Sequence, residues 1–303
     1  MQKPWLIGVD LGGTKIEVML MDENSNACFR ERLPTPSDDY SALLATIKTL
    51  VWRAEKHAGV GGIPVGVGIP GSVSGITGKV KNSNTQCLNG QCLTEDLAEC
   101  LGRPVTVTND ANCLALSEAT DGAGQGEGVV FAAILGTGCG SGISVNGQLL
   151  TGPNGLAGEW GHNPLPWTSQ MELDQRLCFC GRNGCNETFL SGTGLAITYK
   201  LMWNKRLPAP EIAAAAQMGD AQAMQAMGQY VEHLARGFAS VINLLDPNVI
   251  VLGGGVSNIP ELYQQLPDKL SKYAFGGECS TPIRKARHGD SSGVRGAAWL
   301  ADG

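Results

Sequence analysis

No run of lysine or arginine occurs in the 303 residues, and the formal net charge is -6. A broad basic footprint for nucleic acid is therefore not expected. Long hydrophobic runs are also missing. The longest, Val129–Leu135, is far short of the ~18–20 residues needed to cross a bilayer. Residues 1–5 lead directly into a strand-like segment broken by Gly8 and Asp10. With no apolar stretch and no small-residue cleavage site there, a signal peptide is not expected, and the protein is read as cytoplasmic. No G-x-x-x-x-G-K-[ST] motif is present, which excludes a P-loop enzyme. Gly253-Gly254-Gly255 follows an apolar stretch but lacks the G-x-G-x-x-G spacing of a dinucleotide fold. Linkers and low-complexity segments are absent. With 43% hydrophobic and 17% charged residues, the chain is not a disordered one.

Glycine, by contrast, is abundant, at 42 residues, roughly twice the usual share. It has no G-X-Y period, so a collagen-like chain is excluded. Excess glycine in a globular chain points to tight turns or to backbone brought close to a ligand. Cysteine is abundant too, at ten residues. In the cytoplasm these are expected to be reduced. Cys28, Cys100 and Cys113 read as packing residues, whereas Cys178, Cys180 and Cys185 are crowded into one short segment.

Strands are expected over residues 6–9 and 17–21, with the turn Asp10-Leu11-Gly12-Gly13-Thr14-Lys15 between them. Leu43, Leu44, Ile47, Leu50, Val51 and Ala54 repeat at helical spacing, which predicts an amphipathic helix over 40–57. A buried strand follows over 65–69, then a helix over 93–101, a strand over 105–108 and a helix over 112–119. The middle opens with a strand over 129–135, the turn Gly136-Thr137-Gly138-Cys139-Gly140 and a strand over 141–145. This repeats the opening pattern and suggests two related α/β halves. Residues 146–194 are polar and glycine-rich with little periodicity. Apolar residues from Met224 to Leu245 mark a long helix, a strand covers 249–252, and residues 292–300 read as a helix.

Paired glycines let backbone N–H groups approach an anion, and the hydroxyl of Thr14 and ammonium of Lys15 can join them. Asp10 at the strand end could organise Mg²⁺ through water. An ordinary hairpin turn accounts for the same residues. Three thiolates and an imidazole, from Cys178, Cys180, Cys185 and His162, suit tetrahedral Zn²⁺, and four ligands make a closed, structural site. Cysteines that merely pack are the alternative, although Gly181, Arg182, Asn183 and Gly184 between them are poor core material. Asp110, just after the 105–108 strand, stands where a helix N-cap would.

Taken together, residues 10–15, Thr108-Asn109-Asp110-Ala111-Asn112, residues 135–140, Glu159-Trp160-Gly161-His162, the three cysteines and residues 251–255 resemble the ROK-family sugar kinases, over almost the whole chain. The segments 158–167 and 275–298 look most like bacterial fructokinase/mannokinase members. The resemblance implies an α/β, two-domain actin/hexokinase-type (ribonuclease H-like) ATPase fold with the active-site cleft between the domains. The expected division is 1–118 and 119–303, with the helix at about 290–303 packing back on the small domain.

By the same resemblance, Asp10, Gly12, Gly13, Thr14, Lys15, Gly136, Thr137, Gly138 and Gly140 hold the ATP phosphates, and Gly253, Gly254 and Gly255 lie against the adenosine. Asp110 is the general base. Gly71, Ser72, Asn109, Asp110, Glu159, His162 and Glu187 contact the sugar, whose hydroxyls need this mix of donors and acceptors. The family's zinc site falls on His162, Cys178, Cys180 and Cys185. Trp160 and Trp167 are expected to pack the loop. The implied activity is ATP- and Mg²⁺-dependent phosphorylation of a hexose at its 6-hydroxyl, with fructose expected, mannose also accepted, and N-acetylglucosamine or glucose as alternatives. A homodimer is implied, with neither nucleic acid nor membrane as partner. The family also contains sugar-responsive repressors with an added helix-turn-helix domain; the turn at Asp10 leaves no room for one ahead of it. A sugar-binding regulator without catalysis is a further alternative, which the presence of Asp110 disfavours.

Overall fold

The computed structural model describes residues 5–302; the leader reading over residues 1–4 lies outside them. The chain divides into two α/β units. In chain order the first contains β1 (Trp5–Leu11), β2 (Lys15–Asp22), β3 (Ala27–Pro34), α1 (Tyr40–Ala58), β4 (Val65–Ile69), the short pair β5 (Ser72–Val73) and β6 (Val80–Lys81), α2 (Leu93–Leu101), β7 (Val105–Asn109) and α3 (Asp110–Thr120). The second opens with β8 (Val129–Leu135) and β9 (Cys139–Val145). The excursion Gly147–Ala157, with β10 (Gln148–Leu149), belongs to the first unit. The second resumes with α4 (Glu187–Leu190), α5 (Gly192–Trp203), α6 (Ala209–Gln217), α7 (Ala221–Leu245), β11 (Val249–Gly253), α8 (Glu261–Tyr273) and β12 (Ile283–Lys285). Then α9 (Ser292–Leu300) returns to the first.

The first unit's strands lie in the order β3-β2-β1-β4-β7, antiparallel on the β1–β2–β3 side and parallel from β1 to β7. Every residue of β4 is buried, as expected of a central parallel strand covered on both faces. On one face Ile7, Val9, Leu11, Ile16, Val18 and Leu20 pack against Leu43, Ile47 and Leu50 of α1. That helix is bounded as its sequence dictates: Asp39 caps it by accepting from the Ala42 N–H, and Gly59 ends it with φ of 71°.

The opposite face explains part of the glycine excess. A Cβ on Gly8 would stand 2.0 Å from the Val294 carbonyl oxygen, and one on Gly66 2.0 Å from that of Ala297. A Cβ on Gly296 would stand 1.7 Å from the Cys113 carbonyl oxygen. These glycines let α9 lie directly on the sheet and on α3. Their role is helix packing, separate from the ligand turns to which the sequence reading gave the excess.

The second unit repeats the plan, with strands in the order β9-β8-β11-β12, antiparallel between β9 and β8 and parallel thereafter. Its core is built on α7, capped by Asp220 and packed through Tyr230, Leu234 and Phe238. Trp160 stacks on Phe238 at 5.2 Å and meets Phe131 edge-on, inside this core. Trp167 is exposed and stacks on Tyr273. Both tryptophans pack against protein. Strand β3 and helices α5, α6 and α8 were not foreseen.

Candidate active site

In the first unit the hairpin turn is shorter than its sequence suggested, because β1 continues through Leu11 and β2 starts at Lys15. Residues 12–14 form the turn. The Gly12 N–H donates to the Lys15 carbonyl at 2.9 Å, and Thr35 Oγ1 donates to the Gly12 carbonyl at 2.7 Å. A Cβ on Gly12 would press to 2.9 Å on that Lys15 oxygen, whereas Gly13 has only ordinary van der Waals neighbours. The backbone at Gly13 is thus the open part of the turn, and Gly13, Thr14 and Lys15 are exposed.

Asp10 sits on β1 directly opposite Glu17 of β2. Glu17 is buried and paired with Arg30 and with Arg32, the latter at 2.8 Å. The Asp10 carboxyl is raised to about 6, first by burial, then by the negative charges of Asp110 and Glu17, with Lys15 and Arg32 opposing. A carboxylate held so close to neutrality gains from a cation beside it, the property wanted of a group that organises Mg²⁺ near phosphate.

Asp110 is exposed, at the first position of α3. Capping of that helix falls to Asn109, whose Oδ1 accepts from the Asn112 N–H at 2.8 Å. The Asp110 side chain accepts from the Ala111 N–H at 2.8 Å. The alternative of Asp110 as N-cap is thereby set aside, and its carboxylate has a helix N-terminus behind it, where negative charge is favoured. Gly71, with φ of 96°, is needed for packing, since a Cβ would meet the Lys81 carbonyl oxygen at 2.7 Å. Ser72 is buried in β5 and its hydroxyl has no hydrogen-bond partner among the described residues.

In the second unit the turn is residues 136–138, and Gly140 lies inside β9, paired with Ile134. The Gly192 N–H donates to the Gly136 carbonyl at 2.7 Å, and Thr193 Oγ1 to the Thr137 carbonyl at 2.8 Å. Gly136, Thr137 and Gly255 line one cavity of about 730 Å³, together with Gly192, Thr193, residues of α6, Val256, Asn258 and Ile259. Its walls are mostly apolar, with a few convergent polar groups, which suits a flat heterocycle with a phosphate tail. Gly254, with φ of 80°, packs on Leu135 of β8, and Gly253 closes β11. Three of the proposed nucleotide residues thus share a cavity, while Gly253 and Gly254 shape the strand end beside it. Sequence reasoning missed Gly192, Thr193 and α6. The Ser191-Gly192-Thr193-Gly194 run, with Ser191 capping α5 through the Gly194 N–H at 2.9 Å, was the available signal.

Glu159 is exposed and His162 half-buried at the two ends of one 3₁₀ turn. Glu187, first residue of α4, accepts from the Cys139 N–H at 3.0 Å through Oε2. A Cβ on Gly138 would meet that oxygen at 2.7 Å. Glu187 therefore braces the turn after β8 and keeps its other oxygen 3.9 Å from Cys178 Sγ.

His162, Cys178, Cys180 and Cys185 bring one ligand atom each to within 4.8 Å of one another. Cys178 Sγ lies 3.5 Å from His162 Nδ1, and Cys180 Sγ lies 3.6 Å from Cys185 Sγ. A tetrahedral zinc with bonds of ~2.3 Å to sulfur and ~2.0 Å to nitrogen requires edges of roughly 3.5–3.8 Å. The donor set is that of a zinc site in its chemistry, and the two close pairs have the spacing of tetrahedral edges. The loop between the cysteines turns through Gly181 and Gly184, both with positive φ. None of the ten cysteines forms a disulfide.

Two open sheets of the same plan, a carboxylate at the end of β1, a second at the start of α3 and glycine turns after β1 and β8 define a protein of the actin/hexokinase fold. The chain belongs to the ROK family, whose sequence signature matches residues 6–303. It is 40% identical over 297 residues to an N-acetyl-D-glucosamine kinase of Yersinia enterocolitica serotype O:8 / biotype 1B, covering 97% of this chain and 98% of that one. An enzyme of the same name from Photobacterium profundum is 41% identical, with the same coverage. Among solved structures, the ROK hexokinase from Thermus thermophilus is 32% identical with a TM-score of 0.86, covering 98% of this chain and 97% of that one. A ROK glucokinase from Streptomyces griseus, in complex with glucose and AMPPNP, is 29% identical with a TM-score of 0.78 and 98% coverage of both chains. No helix among the described residues is long and apolar enough to cross a membrane.

Proposed function

We propose that the protein is an ATP-dependent sugar kinase that phosphorylates N-acetyl-D-glucosamine. The observation that carries the substrate is the relation along 97% of the chain, at about 40% identity, to enzymes of that name. This replaces the expectation of fructose, which rested on local segments. The donor reading is supported by the apolar-walled cavity of the second unit and by the glucokinase relative solved with an ATP analogue. Thr193 and α6 join Gly136, Thr137 and Gly255 as nucleotide contacts, with Gly138 carrying the turn, Gly140 the strand that follows it, and Gly253 and Gly254 the strand end.

A sugar hydroxyl is a weak nucleophile. In this reading Asp110 accepts its proton as the oxygen bonds to the γ-phosphorus and the bond to the ADP oxygen breaks. Asp110 suits the role because it is exposed and leaves the capping of α3 to Asn109. Gly13, Thr14 and Lys15 bind phosphate oxygens, and Gly12, whose N–H is held by the Lys15 carbonyl, shapes the turn. Asp10 and its neighbours would hold Mg²⁺, which neutralises charge on the phosphates when bound. Asn109, Ser72 and the backbone at Gly71, with Glu159, His162 and Glu187, bind the hydroxyls. His162, Cys178, Cys180 and Cys185 would hold zinc, whose part is to order the Cys178–Cys185 loop.

A coupled ADP-release assay over N-acetylglucosamine, glucose, mannose and fructose tests the reading. kcat/KM for N-acetylglucosamine is expected to exceed the others by about tenfold or more, a margin that a site built to pair the extra amide can supply. Preference for fructose would restore the expectation drawn from the sequence, and sugar binding with no turnover would favour a regulator.

A further inference from the structure

Arg176 stands two residues before Cys178 and is among the largest fully buried side chains. Buried arginine is uncommon unless each donor is satisfied. Here Nε donates to the Glu172 carbonyl at 3.3 Å, Nη1 to the carbonyls of Thr188 and of Gly194, the latter at 3.1 Å, and Nη2 to Thr198 Oγ1 at 2.8 Å. The guanidinium lies over the Phe189 ring at 4.3 Å. All these acceptors are neutral. The Glu172 carboxylate is engaged elsewhere, by His233 at 3.1 Å and by Arg236, on α7.

The acceptors span one junction. Thr188 follows Glu187, which braces the turn at Cys139. Gly194 follows Gly192 and Thr193, which bond that turn and line the 730 Å³ cavity. Arg176 therefore joins the end of the metal-bearing loop to the carboxylate helix α4 and to the cavity wall at the start of α5. We propose that Arg176 is a positioning residue that fixes the α4–α5 junction, so that Glu187 and the Gly192–Thr193 wall are held in one geometry. The assignment of Glu187 to sugar and of the cavity to nucleotide rests on the kinase reading. The clamp itself does not.

The planar fork is essential to this role, because three separate nitrogens reach four acceptors, and a lysine ammonium, with its donors on one atom, cannot meet the Glu172 carbonyl and Thr198 Oγ1 as well as the carbonyls of Thr188 and Gly194. Arg176→Met keeps the apolar volume and removes the donors. Amide hydrogen exchange of the substrate-free protein is expected to quicken at residues 188–198 by about tenfold or more, the scale of a loosened local unit, with zinc content per chain unchanged. In turnover, KM for sugar and for ATP is expected to rise together by about tenfold, with kcat within about threefold. Arg176→Lys is expected not to rescue either. Should Arg176→Met fold poorly, Thr198→Val removes one acceptor at equal size, and the same two constants are expected to rise together. Unchanged exchange at 188–198 would overturn the clamp, as would rescue by lysine or loss confined to zinc. Quickened exchange in a protein whose wild type phosphorylates no sugar would uphold the clamp and refute the kinase reading instead.

Discussion

Asp110 and Asp10 are both carboxylates at element ends, and their surroundings separate them. Asp110 is exposed at the start of α3 with capping delegated to Asn109. Asp110→Asn keeps the shape and removes the proposed base. The variant is expected to lose about 10²–10⁴ in kcat, the usual share of general-base catalysis, with sugar and ATP KM little altered. Near-wild-type turnover would sink the assignment. Asp10 is held at about 6 in the fold against an ordinary 3.8, by burial first and by Asp110 and Glu17 next. Between those two pH values the folded chain retains a proton that the unfolded chain has released. The stability this contributes is fully present below about pH 4 and is lost as the pH rises through about 6. A displacement of that size corresponds to about 3 kcal/mol. In buffer free of divalent cations, Asp10→Asn is expected to be more stable than wild type at pH 7.5 and equal to it near pH 4, by urea denaturation. An equal gain at both pH values would contradict the account.

At the scale of elements, strand β4 and helix α9 meet through glycine. Gly66→Ala would place a methyl 2.0 Å from the Ala297 carbonyl oxygen, a backbone atom that cannot turn aside. The expected cost is about 1–3 kcal/mol or more, read from the urea midpoint. Gly61→Ala, where a Cβ meets nothing within 4 Å, is the control. The Cys178–Cys185 loop depends on different chemistry. Phe179 within it and Leu177 just before it are exposed, at 79% and 74%, so apolar burial does little to hold it. The wild-type protein is expected to carry about one zinc per chain, and Cys180→Ser to lose it, by elemental analysis, while α7 and its core remain folded by circular dichroism. A Cys180→Ser protein with full zinc content would refute the site. α1, β4 and α7 were legible in the sequence because their apolar spacing is local and strong. Strand β3 alternates only weakly, with its residues half-buried or exposed. Helix α6 has four consecutive alanines and a single large apolar residue, Ile212, and α8 carries Pro267 in its interior. Those elements are stabilised by what they pack on, which periodicity does not record.

Across the whole molecule, chain order and spatial membership differ. Residues 147–157, which the second unit surrounds in sequence, and those from 290 onward, which follow it, belong to the first unit. The strand–turn–strand echo at residues 10–15 and 136–140 was visible because short-range glycine spacing is itself the signal, and the two sheets do share one plan. The Cys/His set was visible for a similar reason: thiolates and imidazole at short separations have few other uses. The sequence by itself thus determined the fold class, the carboxylates at the strand and helix ends, and the Cys/His set, all features written in neighbouring residues. Only the tertiary structure decided which glycines serve packing and which leave backbone open, that Asn109 rather than Asp110 caps α3, and that α6 walls the 730 Å³ cavity. It alone revealed that an arginine, the residue type most expected in water, is buried between the Cys178–Cys185 loop and α5. Each of these depends on atoms far apart in the chain, and no local pattern encodes what a side chain will meet when distant segments close on it.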